Sequence, residues 1–282
     1  MNKIVLSGHS GCKIILIEDK KNKRFIKKIS SNSNYNERLK SQCLKQINFN
    51  SKYIFTPKVM KYGINSEGLF YFDMEYISGI TLSEYMKTIS VNKIQNIANI
   101  IIKHYLIENI NIRQKDNQVQ NIFLNKIMDT ASKLKVENKN IKEAICLLKK
   151  YEYYDFEKSF CHGDLTLENI IIANNRIYYI DFLDSFYDSW LLDVAKLLQD
   201  TQTFWSYRND NKLNENLLIR LMIFRDIILS ELKSLNENYI RDSYYALLLN
   251  ILRIYPYTFD IKTLNFLNYE LDNVIKIIRR FN

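Results

Sequence analysis

Two neighbouring stretches decide the reading of this chain: "FCHGDLTLENIII" at 160–172 and "IDFLD" at 180–184. Together they set His162, Asp164, Asn169 and Asp181 among Ile, Leu, Phe and Tyr side chains. A carboxylate taken out of water is costly unless something pairs with it, so these positions need either a partner or a function. If 170–173 and 177–181 pair as a hairpin around "NNR", Asn169 and Asp181 meet near one end of it. One neutral and one anionic oxygen donor would suit Mg²⁺, which takes few protein ligands and completes its shell with water and phosphate. A further carboxylate, Asp164, could then accept the proton of a substrate hydroxyl.

Composition agrees with a folded globular protein and disfavours several other classes. The chain has 282 residues, 47% of them hydrophobic, enough for one large domain or two small ones around a substantial core. Gly and Pro number only 6 and 2, which favours helices joined by short loops. The formal charge of +9 is dispersed rather than gathered into a stripe, so anionic small molecules fit better than nucleic acid. The four cysteines show no paired spacing, which suits a reducing cytoplasm. The start "MNKIVLSG" carries no apolar run of signal-peptide length, and no stretch reads as a membrane span.

Working outward, the first thirty residues read as three strands at 3–7, 12–18 and 24–30, separated by turns. Residues 34–47 have helical composition, with Asn34 or Asn36 available as a cap. A strand pair is expected over 58–64 and 68–77 around "NSEG". Residues 92–150 carry long Ile and Leu periodicities of helical type, and helix returns from 193 to the end. The expected fold class is α+β: a small antiparallel sheet with one helix over 1–77, then a larger, mainly helical part over 78–282. A ligand cleft is expected where the two meet, near residue 77.

"HGDLTLEN" followed by "IDF" resembles the catalytic loop and metal-binding strand end of the aminoglycoside phosphotransferase and choline kinase superfamily, relatives of the protein kinases. Gly163 stands where protein kinases carry arginine, and Leu183 stands where they carry the glycine of D-F-G. Glycine at 163 matches the small-molecule branch, and both departures point away from a protein kinase. The resemblance implies a two-lobed protein-kinase-like fold and transfer of the γ-phosphoryl group of ATP, with GTP as an alternative, assisted by Mg²⁺. It makes Asp164 the base, His162 an orienting residue, Asn169 and Asp181 the metal ligands, and Asp193 of "DVAKLLQD" the support of the catalytic loop. "MEYISGITLSEYM" (74–86) resembles the interlobe linker, which implies nucleotide contacts at Glu75 and Tyr76. "SGHSG" (7–11) stands where a glycine-rich turn covers the phosphates, which implies roles for Gly8, Ser10 and Gly11, although only the two glycines match. Lys27 and Lys28 compete as the phosphate-contacting lysine, and "KIS" favours Lys28, with Glu37 as its expected helix partner.

The acceptor is the open part of the reading. Asp184, Tyr187, Trp190 and Trp205, together with Phe204 and Tyr207, are candidates to surround it, the aromatics as a cage for a quaternary ammonium; the alternative is ordinary core packing. The acceptor expected is a sugar or an amino alcohol such as choline, with surface-polysaccharide biosynthesis as its setting. An aminoglycoside antibiotic is the alternative, and a nucleotide-binding pseudoenzyme is the rival of a different class. A zinc site from His9, Cys12, Cys161 and His162 is disfavoured, because adjacent residues rarely reach one tetrahedral ion. The protein is expected in the cytoplasm, without nucleic-acid partners or membrane insertion.

Overall fold

The computed structural model describes residues 2–6, 12–109, 113–135, 138–210 and 213–281. The chain forms two compact units, Met1–Leu82 with Asn169–Asp184, and Ser83–Glu168 with Ser185–Asn282. It is a mixed α+β protein, with an antiparallel sheet early in the chain and helices through the later part.

The first unit is built on β1 (Asn2–Leu6), β2 (Cys12–Glu18), β3 (Arg24–Ser30), α1 (Asn36–Ile47), β5 (Val59–Ile64) and β6 (Phe70–Glu75). Its five strands pair antiparallel in the order β1-β2-β3-β6-β5. The period of two places Ile26, Lys28 and Ser30 of β3 on the buried face, and puts Lys27 on the other. Ile14, Ile26, Phe70, Phe72 and Met74 of the sheet close over Leu39 and Cys43 of α1. Each such fully buried apolar side chain contributes roughly 1.5–3 kcal/mol, which is what holds α1 on the sheet.

The expected cap of α1 is not Asn34 or Asn36. Asn32 caps a 3₁₀ turn at Ser33–Tyr35 through its Oδ1, which accepts from Tyr35 N at 3.1 Å. Asn36 is drawn away by unpaired backbone in the β5–β6 hairpin: its Oδ1 accepts from Phe70 N at 2.8 Å and its Nδ2 donates to Gly68 O at 2.9 Å.

A second sheet of the same unit has the order β4-β9-β8-β7, from β4 (Ile54–Phe55), β7 (Ile80–Thr81), β8 (Ile170–Ala173) and β9 (Arg176–Tyr179). The β8–β9 hairpin turns on Asn174 and Asn175, at φ 48° and 58°, so Arg176 belongs to the strand and not to the turn. The second strand stops at Tyr179, short of the expected Asp181. Gly79 lets β7 approach: a Cβ there would lie 2.5 Å from the carbonyl oxygen of Ile172.

The second unit is helical, with α2 (Leu82–Tyr85) at its boundary. It comprises α3 (Val91–Lys103), α4 (Val119–Ser132), α5 (Lys139–Lys150), α6 (Trp190–Thr201), α7 (Glu215–Leu235), α8 (Asn238–Ile254) and α9 (Ile261–Ile278). Helix α6 packs on α8, α3 on α7, and α8 on α9. Buried almost all round, α6 is the central helix of this unit. No helix among the described residues is long and apolar enough to cross a membrane.

Candidate active site

In the first unit the chain brings Lys28 and Asp181 together, with Nζ 2.5 Å from Oδ1. The lysine side chain is only 5% exposed, and the carboxylate is its ion-pair partner there. Asp181 sits in the left-handed region at φ 62°, an unfavourable conformation for a residue with a Cβ and one that tends to gather at functional sites. The backbone around it is tied down. Ile180 N donates to Asn169 O at 3.0 Å, which places the end of β9 beside Asn169. Lys45 of α1 donates to Leu183 O at 3.1 Å, and Phe49 packs against the rings of Tyr179 and Phe182.

Of the two competing lysines, Lys28 is the one that meets Asp181. Lys27 pairs with Asp73 at 2.7 Å and lies over the Tyr71 ring. The expected pairing of Lys28 with Glu37 is absent. Glu37 is in the first turn of α1 with its side chain 87% exposed, 3.7 Å from Lys40, and Asp181 takes the place it was expected to fill. Glu75 is exposed on β6, where its backbone N donates to Lys58 O, and Tyr76 packs at the margin of the sheet core. Gly8, Ser10 and Gly11 lie outside the described residues.

In the second unit a loop hangs from one helix. Asp193 of α6 is fully buried, and its carboxylate accepts from His162 N at 2.5 Å and from Gly163 N at 2.8 Å. Cys161 Sγ and Tyr105 OH each add a contact at 3.4 Å. Such donors replace the water that a buried carboxylate loses. Gly163 turns the loop at φ 91°, where a side chain would be strained; this accounts locally for glycine in "HGD". His162 is fully buried, and its Nδ1 accepts from Asp164 N at 3.2 Å. That ring nitrogen therefore orients the loop and carries no proton to give.

Asp164 is 29% exposed and lies 3.1 Å from Lys196 Nζ of α6. Further along the same helix, Asp200 accepts from Leu167 N at 2.6 Å and from the N and Oγ of Ser206 at 2.9 and 2.7 Å. Burial pushes the Asp200 carboxyl up to about 6, against the lowering effect of those hydrogen bonds. Lys196 and Asp200 went unread in the sequence. The available signal was their spacing of three and seven residues from Asp193, which places all three along one helix face.

The acceptor candidates fare differently. Tyr187 is buried, its OH donating to Phe156 O at 3.0 Å and its ring meeting Phe123. Trp190 is fully buried between Tyr105, Tyr239 and the Arg113 guanidinium. Tyr207 is buried as well, donating to Ser83 O. Tyr187, Trp190 and Tyr207 are core, as helical spacing more often means, and they do not form the alternative cage. Trp205 is half-buried with Arg208 over its face at 4.1 Å, and Asp184 is exposed.

The implied magnesium ion can be weighed against the residues present. Among the described residues no group of three or more His, Cys, Asp or Glu gathers as a metal cage. An amide and a carboxylate near the end of one hairpin nevertheless fit a hard cation that relies on phosphate and water for its other ligands.

Residues 109–222 match the model of a family described as the phosphotransferase enzyme family. No curated protein sequence matches the chain. Among solved structures, a thermostable mutant of the aminoglycoside phosphotransferase APH(4)-Ia, in a ternary complex with AMP-PNP and hygromycin B, is 13% identical. The match has a TM-score of 0.64 and covers 99% of this chain and 93% of that one. The choline kinase of Cryptosporidium parvum Iowa II is 14% identical at a TM-score of 0.57, covering 98% of this chain and 88% of that one. The central segment thus matches the phosphotransferase enzyme family, and over nearly its whole length the chain shares the fold of an aminoglycoside phosphotransferase and a choline kinase.

Proposed function

We propose that the protein transfers the γ-phosphoryl group of ATP, or alternatively GTP, to a hydroxyl of a small sugar or amino alcohol. The observation that carries this reading is the suspension of "HGD" from Asp193, which fixes the loop bearing Asp164. In the reaction the acceptor oxygen forms a bond to the γ-phosphorus while the bond from that phosphorus to the β–γ bridging oxygen breaks. The acceptor proton passes to the Asp164 carboxylate, and the nucleoside diphosphate leaves with the electrons of the broken bond.

Lys28 supplies positive charge to the nucleotide phosphates, and Asn169 and Asp181 would hold Mg²⁺ through their side-chain oxygens. When bound, the ion would neutralise phosphate charge. Lys28 and Asp181 form an ion pair, so both groups lie within reach of the place proposed for the phosphates and the cation. His162 keeps its ring nitrogen on Asp164 N and holds the backbone of the base in place. The backbone after β6, at Glu75 and Tyr76, is the proposed adenine contact.

Two neighbours in fold bear on the acceptor: one is a choline kinase and the other holds hygromycin B. Burial of Tyr187, Trp190 and Tyr207 and the Arg208 cation over Trp205 disfavour a quaternary-ammonium cage, so a neutral sugar hydroxyl is preferred to choline. The test is a panel of monosaccharides, choline, ethanolamine and kanamycin-type antibiotics with Mg²⁺ and ATP or GTP. Formation of a phosphorylated monosaccharide, seen by mass spectrometry alongside ADP or GDP, supports the reading. Absence of phosphorylation across the panel counts against it.

A further inference from the structure

We propose that Lys196 is a positioning residue for phosphoryl transfer, holding the Asp164 carboxylate in its working orientation from the central helix; this rests on the phosphotransferase reading above. Every other residue of α6 is buried, and Lys196 alone is partly exposed. Its ammonium group is carried on a side chain only 17% exposed. It lies 3.1 Å from Asp164 Oδ1 and donates to Gln199 Oε1 at 3.2 Å. Gln199 is itself buried, so one partner of the ammonium is a fixed part of the helix.

Stability does not explain this arrangement. A partly exposed ion pair contributes little, and ordering a lysine side chain gives up rotamer freedom. Catalysis does explain it, because a base acts only within hydrogen-bond reach of the proton it takes, and a carboxylate free to rotate spends much of its time elsewhere. The three side chains of α6 divide the loop between them. Asp193 holds the backbone before Asp164, Asp200 holds the backbone of Leu167 after it, and Lys196, between the two, holds the side chain of Asp164.

The test compares Lys196→Met, Lys196→Arg and Lys196→Gln with the unaltered protein, using the acceptor found in the panel. Lys196→Met and Lys196→Gln are expected to lower kcat by about 10- to 100-fold with the nucleotide KM unchanged, and Lys196→Arg to recover most of the rate. Equal kcat in all four proteins, or a loss that arginine and glutamine repair equally, overturns the proposal. A double-mutant cycle of Asp164→Asn and Lys196→Met read by Tm tests the contact without any acceptor. The double variant is expected to depart from the sum of the single shifts by about 2 °C, and strict additivity overturns the proposal. No phosphorylation by the unaltered protein would overturn the phosphotransferase reading instead, and the cycle would still decide the contact.

Discussion

Lys28 Nζ lies 2.5 Å from Asp181 Oδ1, an ion pair joining residues 153 positions apart in the chain. It links the buried face of the first sheet to the strained residue that follows β9. The lysine side chain is buried, and this single contact ties together two parts of the chain proposed to hold phosphate and metal.

Lys28→Met should weaken binding of Mg·ADP by at least about tenfold, equivalent to about 1.4 kcal/mol, as read by calorimetric titration. Lys27→Met serves as the control. Its lysine points to the opposite face and pairs with Asp73, so nucleotide affinity should stay within about twofold of the unaltered protein. Equal losses in both variants would show that the β3 assignment is wrong.

Asp193→Ala leaves the backbone N–H groups of His162 and Gly163 without their acceptor. Each stranded donor costs about 1–3 kcal/mol, so Tm should fall by several degrees and turnover should be lost with it. A thermal scan showing an unchanged Tm would mean that the loop is held by something other than this carboxylate.

Gly163→Ala tests the same loop through its backbone. A side chain at φ 91° is strained by on the order of 1 kcal/mol or more, and relief of that strain would move the amide that Asp193 accepts. The expected result is a lower Tm together with reduced kcat, measured on one preparation.

Buried acids in the helical unit set an opposite pH dependence from the usual one. Burial pushes Asp242 up to about 7, against its hydrogen bond from Tyr151, and pushes Glu270 up to about 7. The native state therefore keeps protons that the unfolded chain has released, and stability declines as pH rises from about 4 towards 7. Asp242→Asn should flatten part of that decline in urea unfolding measured across this range. An unchanged slope would remove Asp242 from the account.

Much of the fold was legible because period and turn chemistry acted locally. β2 and β3 occupy 12–18 and 24–30 as their alternation indicates, since one face of each strand packs on α1. The helical character of 193 to the end was equally plain, though α6 begins at Trp190, whose burial extends the helix backwards. What stayed hidden depends on contacts distant in sequence. Asn36 reads as a cap until the hairpin at Gly68 and Phe70 claims it. Glu37 reads as the partner of Lys28 until α1 is seen to turn it outward, leaving Asp181 to fill that place. The parallel pairing of β4 with β9 has no local signature at two residues of length. Aromatic residues at 187–207 could not be told from a ligand cage by spacing alone, because core packing uses the same period.

The central claim is that Asp164 is the base for phosphoryl transfer, and Asp164→Asn tests it most directly. The kcat with the best acceptor of the panel should fall by about 10²–10⁴-fold, while Kd for Mg·ADP stays within about twofold of the unaltered protein. Turnover within a factor of about three of the unaltered protein would contradict the claim.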